Sequence, residues 1–243
     1  MAKTDTIFFF PGCQDVPTVQ TLPEEESQHA VKVLRLQVGE EIAVVDGIGG
    51  FYVARITNPH PKHCGFEITE MKSGFGKHDY KLHIAIAPTK NIERLEWFLE
   101  KSTEIGVDEI TPVVCRFSER KMVKEERLQK IIVAAAKQSL KAYFPKLNPL
   151  TTFDELMKNH QASQKFIAHC YEEDKKLFQN EIKPLSDVLI LIGPEGDFSK
   201  EEVQKAISLG FIPVSLGESR LRTETAGVVA CHTAAILNQT SNS

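Results

Sequence analysis

The chain has 243 residues, 42% of them hydrophobic and 26% charged, and a formal net charge of −4. That balance is the composition of a globular protein with room for one large domain or for a small and a medium one, and the net acidity excludes a chain that binds nucleic acid by bulk charge alone. No apolar run approaches the roughly 20 residues of a membrane span, and the five scattered cysteines (13, 64, 115, 170, 231) contain no CxxC pair, which argues against a disulfide framework or a zinc site and for a reducing, cytoplasmic compartment.

Residues 6–70 read as β-rich. The runs Ile7–Phe10, Glu41–Asp46, Phe51–Thr57 and Gly65–Glu70 carry β-branched and aromatic residues, and Ile7-Phe8-Phe9-Phe10 is too short for the apolar core of a signal peptide. Asp46-Gly47 and Gly49-Gly50 mark a hairpin between the second and third runs. One helix interrupts them. Thr21 and Glu24 stand at capping-box spacing, Pro23 falls in the first turn, and Ala30, Val31, Val33 and Leu34 supply its apolar positions. Its polar side carries His29, Lys32 and Arg35, which is either a solvated helix face or a set of basic groups offered to a phosphate backbone.

A change to Lys, Ser, Gly and His around Met71–Asp79 marks a domain boundary, placing a small domain at 1–73 and a larger one at 74–243. Beyond it, strands and helices alternate. Lys81–Ala87, Glu109–Cys115, Lys165–Cys170, Val188–Ile192 and Ile212–Leu216 read as strands, and Asn91–Ile105, Val123–Ala142, Ser199–Leu209 and Thr223–Asn238 as helices. This is the pattern of a parallel sheet with helices on its faces. Thr151–Pro184 stays undivided, with the Glu172–Lys176 cluster open to either loop or helix. From Arg116 to Lys146 there are nine basic residues against three acidic ones, a net +6 within an acidic protein.

Two loops fall at the carboxyl ends of strands, where ligands bind in open α/β sheets. Gly193-Pro194-Glu195-Gly196 follows an apolar strand, and its glycines allow close backbone approach to a ligand. Ser199 and Glu202 form a capping box, with Phe198 and Val203 as its hydrophobic staple, so Ser199 reads as structural. The second loop runs from Leu216 to Gly227. Arg222 lies just ahead of a helix N-terminus, where the helix dipole disfavours a cation, and this points to an anionic or polar partner. There is no GxGxxG, P-loop, HExxH or GxSxG. Cys170 beside His169 reads as a buried thiol rather than a nucleophile.

Gly193-Pro-Glu-Gly196, Leu216-Gly217 and Leu221-Arg222-Thr223-Glu224-Thr225-Ala226 together resemble the C-terminal signature of the ribosomal RNA small subunit methyltransferase E family. His29…Val33-Leu34-Arg35 with Val38-Gly39 and Asp46-Gly47, Lys101–Val107, Ser118-Glu-Arg120 and Ala136–Ser139 fall in the same order as in that family, so the resemblance spans essentially the whole chain. It implies an α/β protein: a PUA-like β-barrel at 1–73, then a parallel-sheet domain with a trefoil knot at 74–243. It also implies S-adenosylmethionine as cofactor, methylation of N3 of one uridine in 16S rRNA of the small ribosomal subunit, a homodimer, and neither metal nor membrane. The cofactor would lie bent in the knot, held by three loops: after Cys170, at Gly193, Pro194, Glu195 and Gly196, and at Leu216–Ala226 with Gly217, Thr223 and Thr225. Ile192, Leu216 and Leu221 would wall the adenine. The basic segment becomes an RNA track of Arg120, Lys121, Lys124, Gln138 and Lys141, with His29, Lys32 and Arg35 as a second anchor. The chain departs from the family at Lys137 and Lys141, at Ile7 and at Gly217–Arg220.

Uridine N3 carries a proton at neutral pH and attacks poorly until that proton leaves. The reaction therefore needs alignment and a donor that stabilises the uridine anion, and Arg222 is the candidate. Glu195 and Glu224 stand as possible proton acceptors. Two other readings remain: a related knotted methyltransferase acting on another base or on ribose 2′-OH, and a non-catalytic RNA-binding assembly factor.

Overall fold

The protein is described by a computed structural model covering residues 6–13, 19–159, 162–172 and 175–240. Two compact units result. One holds the chain up to Lys77 together with Val133–Phe144, and the other holds His78–Ile132 and the chain from Pro145 onward.

The first unit is built on a five-stranded sheet. Its strands are β1 (Ile7–Phe9), β2 (Val19–Thr21), β3 (Glu41–Val45), β4 (Phe51–Asn58) and β5 (Gly65–Lys72), in the order β1-β3-β4-β5-β2. β1 and β3 run parallel and the other neighbours antiparallel, giving the small barrel-like sheet expected. In β4, Tyr52, Ala54 and Ile56 alternate into the core beside Phe8, Val44, Phe66 and Ile68, as period-two burial requires. The hairpin forms at Asp46, whose Oδ1 accepts from the backbone of Ile48 (2.8 Å) and Gly50 (2.9 Å). The segment 139–144 docks on this turn. Gly49 donates to the Ala142 carbonyl, Phe144 donates to that of Gly47, and the Phe9 and Phe144 rings lie 4.8 Å apart.

The helix here differs from expectation. α1 covers only Glu24–Gln28, its N-cap is Pro23 with no side-chain cap, and a π-helical turn follows at His29–Val33. Thr21 belongs to β2 and forms no capping box. The wider π turn rotates the following positions off the 3.6-residue stripe, so Val33 is 66% exposed while Ala30 is fully buried. Arg35, at φ 56, then closes the segment.

The second unit has an eight-stranded sheet. Its strands are β6 (Leu82–Ile86), β7 (Glu109–Val114), β8 (Lys146–Leu147), β9 (Thr151–Thr152), β10 (Gln164–Ala168), β11 (Lys176–Leu177), β12 (Val188–Ile192) and β13 (Ile212–Ser215). The order is β11-β13-β10-β12-β6-β7-β8, with β9 beside β7, and every pairing is parallel. The helices are α2 (Ile92–Ile105), α3 (Glu125–Gln138, whose last turns belong to the first unit), α4 (Phe153–Lys158), α5 (Phe178–Glu181), α6 (Lys200–Ser208) and α7 (Thr223–Thr240).

The apolar strands serve two cores. Ile84, Ile86, Ile190 and Ile192 face the cluster with Leu95, Phe98 and Ala230, whereas Ala85, Leu189 and Leu191 face that with Phe153, Phe198 and Val203. A strand covered on both faces has no polar alternation, which is why Val188–Ile192 reads as one apolar run. α7 comes close to α2 and β6. At Gly227 a Cβ would meet the Phe98 ring at 2.6 Å and Ile86 at 3.0 Å, so a side chain there would separate the helices.

α3 is shorter than the predicted 123–142. Leu140 takes φ 56 and Lys141 donates back to the Ala136 carbonyl, ending the helix through backbone geometry and not through a breaker residue. Of the Glu172–Lys176 cluster, Lys176 opens β11, and residues 173 and 174 lie outside the described residues. β13 lies on the far side of β10 from β12, yet α7, which follows it, packs on β6 and β12. The intervening loop thus carries the chain back across the strand ends, the crossover that the resemblance to a knotted fold leads one to expect.

Candidate functional site

Three loops leave the carboxyl ends of the adjacent strands β13, β10 and β12, and hollows lie between them. One, of about 260 Å³, is walled by Cys170, Lys175, Leu216, Gly217, Leu221 and Ala226. A second, of about 270 Å³, is walled by Ile192, Gly193, Pro194, Glu195, Leu221 and Thr223. They share Ala168, Cys170, Arg220, Leu221 and Ala226, so they adjoin. A third, of about 600 Å³, lies beyond Leu221 and Arg222 and reaches Thr225. Ten of the predicted cofactor contacts are thus brought to the first two hollows. Thr225 lines only the third, and Gly196 abuts Phe117 instead.

Hydrogen bonds join the loops. Thr223 Oγ1 donates to the Gly193 carbonyl at 3.0 Å, linking the loops after β12 and β13. Asp197 Oδ2 accepts from the Cys170 amide at 2.7 Å, linking those after β12 and β10, and its Oδ1 accepts from Phe198 N at 2.8 Å. Asp197 holds φ 67, a conformation that short polar side chains tolerate. Lys175 Nζ donates to the His169 carbonyl at 2.8 Å. Gly217 sits at φ 137, and a Cβ there would meet no atom within 4 Å. The glycine satisfies the backbone and leaves that wall open. Ser199 caps α6 with Glu202 in a complete capping box, as expected.

Cys170 differs from expectation, since it is exposed at the rim and not buried. The strand ends at Ala168, two residues short of the predicted limit, and leaves the thiol in the loop. Desolvation, with the Asp197 carboxylate, pushes that thiol upward, so it stays protonated and unreactive. Arg222 is exposed directly before α7, and its carbonyl accepts from Ala226 N at 2.8 Å. Glu195 Oε1 accepts from Lys90 N at 2.9 Å.

Two family models match: an RNA methyltransferase PUA domain over residues 22–69 and an RNA methyltransferase domain over residues 77–235. A ribosomal RNA small subunit methyltransferase E of Buchnera aphidicola is 30% identical over 86% of this chain and 84% of its own. The chain belongs to the ribosomal RNA small subunit methyltransferase E family. A probable rRNA-methyltransferase from Porphyromonas gingivalis superposes with a TM-score of 0.90 at 41% identity, covering 97% of this chain and 99% of that one. A ribosomal RNA small subunit methyltransferase E from Neisseria gonorrhoeae, solved bound to S-adenosyl methionine, superposes at 0.86 with 27% identity over 96% and 97% of the two chains.

For a member of an RNA methyltransferase family, the basic residues divide as follows. In the second unit Lys121 and Lys124 are exposed. The Arg120 guanidinium donates to the carbonyls of Thr89 (3.0 Å) and Lys90 (2.7 Å), so much of its donor capacity serves the fold. In the first unit Lys32, Arg35 and Gln138 are exposed, and His29 and Lys141 are half-buried. Lys137 pairs with Glu26. Sequence reasoning missed Asp197, Lys175, Arg94 and Trp97. Asp197 carried a local signal, an Asp after Gly-Pro-Glu-Gly in a tight turn. The α2 pair carried none, because only tertiary packing brings α2 to α7.

Proposed function

We propose that the chain transfers the methyl group of S-adenosylmethionine to N3 of a uridine in 16S rRNA of the small ribosomal subunit. It acts in the cytoplasm as a homodimer. Residues 1–73 form the RNA-binding module and 74–243 the catalytic one. The observation that carries the reading is the pair of adjoining hollows tied together through Thr223 and Asp197, with Arg222 at their edge.

The residues fit the cofactor. Ile192, Leu216, Leu221 and Ala226 offer apolar walls for an adenine, and the loop backbones offer hydrogen-bonding groups. The open space beside Gly217 is one a side chain would fill. When bound, S-adenosylmethionine supplies an electrophilic methyl on a sulfonium. The loops around Gly193–Gly196 and Leu216–Ala226 bind and orient it, and the apolar wall excludes water from the reacting face. Arg222 donates hydrogen bonds to the uridine carbonyl oxygen on which negative charge develops as N3 loses its proton. The RNA backbone is drawn in by Lys121 and Lys124, with Lys32 and Arg35 on the barrel.

Support for the cofactor and the substrate comes from the family and from the S-adenosyl methionine-bound Neisseria relative. Five free cysteines fit a reducing compartment, and among the described residues no helix is long and apolar enough to cross a membrane. The test is transfer of labelled methyl to small-subunit particles or RNA, followed by mass spectrometry of the nucleosides. N3-methyluridine is the expected product. Label on another base or on ribose would replace this reading with that of a different knotted methyltransferase.

A further inference from the structure

The hollow beyond Arg222 adjoins the cofactor hollows, sharing Arg220 and Leu221 with both of them. It is lined from α2 by Asn91, Arg94 and Trp97 and from the start of α7 by Arg222, Glu224 and Thr225. Trp97 is the chain's single tryptophan and is 43% exposed, leaving a large ring face open to a stacking partner. Arg94 Nε stands 3.7 Å from Glu224 Oε1, and the Glu224 side chain is only 9% exposed. Its other oxygen, Oε2, is shielded from solvent and has no hydrogen-bond partner among the described residues. A buried carboxylate oxygen left without a donor is costly. Glu224 lines the hollow, so an N–H brought there meets a carboxylate short of a donor.

We propose that this hollow takes the uracil ring of the acceptor nucleotide: Trp97 stacks on its face, Arg222 and Arg94 donate to its two carbonyl oxygens, and Glu224 receives the N3 proton between them. The proposal rests on the uridine-N3 reading and assigns its base pocket. The edge of uracil presents acceptor, donor and acceptor at O2, N3–H and O4, and Arg222, Glu224 and Arg94, all lining the hollow, supply two donors and one acceptor to meet them. Cytosine sets an amino group against a guanidinium and a lone pair against the carboxylate, so it is rejected at two positions. Base–aromatic stacking adds affinity without selecting the base.

The step balances. The N3–H bond breaks and the proton passes to the Glu224 carboxylate, which becomes neutral. The N3 electron pair forms the bond to the methyl carbon. The carbon–sulfur bond breaks with its electrons kept by sulfur, turning the sulfonium into a neutral thioether. Glu224 then returns its proton to water. Arg94 orients Glu224 and spreads the charge of the uridine anion over a second donor.

Because Trp97 is the only tryptophan, its emission reports the pocket directly. The full chain is titrated with oligouridine and with oligocytidine of equal length, in the presence of S-adenosylhomocysteine, so that backbone charge is matched. Oligouridine is expected to quench the emission with an affinity about tenfold or more higher than that of oligocytidine. Glu224→Gln, whose amide oxygen still accepts from N3–H, is expected to keep the quench within about twofold while kcat falls by about 100-fold or more. Trp97→Ala is expected to raise KM with little change in kcat, and Trp97→Phe to restore most of the loss. Equal quenching by the two homopolymers, or wild-type turnover by Glu224→Gln, overturns the assignment while N3-methyluridine formation by the wild type still stands. Emission that follows protein concentration and not RNA also overturns it, by making this face a contact between copies. Methylation at an atom other than uridine N3 overturns the underlying reading instead.

Discussion

In the proposed reaction Arg222 is the residue on which the chemistry turns. Its backbone carbonyl serves the first turn of α7, and its exposed side chain lines both the second cofactor hollow and the hollow beside Trp97. A donor aimed at developing charge is worth about a hundredfold or more in rate. Arg222→Ala is expected to lower kcat by about that factor while S-adenosylmethionine affinity, read by calorimetry, changes less than threefold. A parallel loss of cofactor binding would make Arg222 part of the cofactor wall instead. Gly217 and Thr223 line the cofactor hollows at positions that restrict residue type, a left-handed backbone at Gly217 and a helix start at Thr223. Cys170 was misread, since its burial depended on where β10 stops. Trp97 and Arg94 were invisible, since nothing local ties α2 to the loop at Arg222.

At the scale of elements, strands that are buried on both faces declare themselves. β12 matches its predicted bounds, Val188–Ile192, to the residue. The short strands β2, β8, β9 and β11 exist through their partners and have too few residues to show a period. The π turn after α1 and the Leu140 reversal after α3 are backbone events without a compositional mark. The neighbouring strands β6 and β7 also carry an acid-sensitive cluster. His83 Nε2 lies 2.7 Å from Thr111 Oγ1, and burial holds the imidazole down at about 4, against the pull of Glu109. Burial by itself would raise Glu109, but hydrogen bonds from Asn148 and Lys81 outweigh it and hold that carboxyl at about 2.

Both groups have folded pKa values below their unfolded ones, so the unfolded chain binds more protons as pH falls. Stability is then lost with acid, through the window from 6.5 to about 4 for His83 and lower for Glu109. The His83 contribution is on the order of 2 kcal/mol. Urea midpoints are expected to drop between pH 7 and pH 4.5 in the wild type and to drop less in His83→Gln. An equal drop in both proteins would remove His83 from the account.

At the scale of the molecule, an acidic protein concentrates nine basic residues between Arg116 and Lys146. Folding does not leave all of them for RNA. Arg120 holds backbone carbonyls, Arg127 pairs with Glu96 and Lys137 with Glu26. Lys121 and Lys124 stay exposed. Replacing both by Ala is expected to weaken RNA binding and to reduce the slope of log affinity against log salt by about 2. An unchanged slope would remove this stretch from the RNA face. The charge excess was legible in sequence, but which members fold-internal partners would claim was not.

The central claim is that this chain places a methyl group on N3 of a uridine in the small-subunit rRNA. It is tested most directly by deleting the gene in its own organism and mapping modified nucleosides in that RNA by mass spectrometry. The account predicts that one N3-methyluridine disappears, returns with the wild-type gene and does not return with Arg222→Ala. An unchanged map, with every N3-methyluridine still in place, would contradict it.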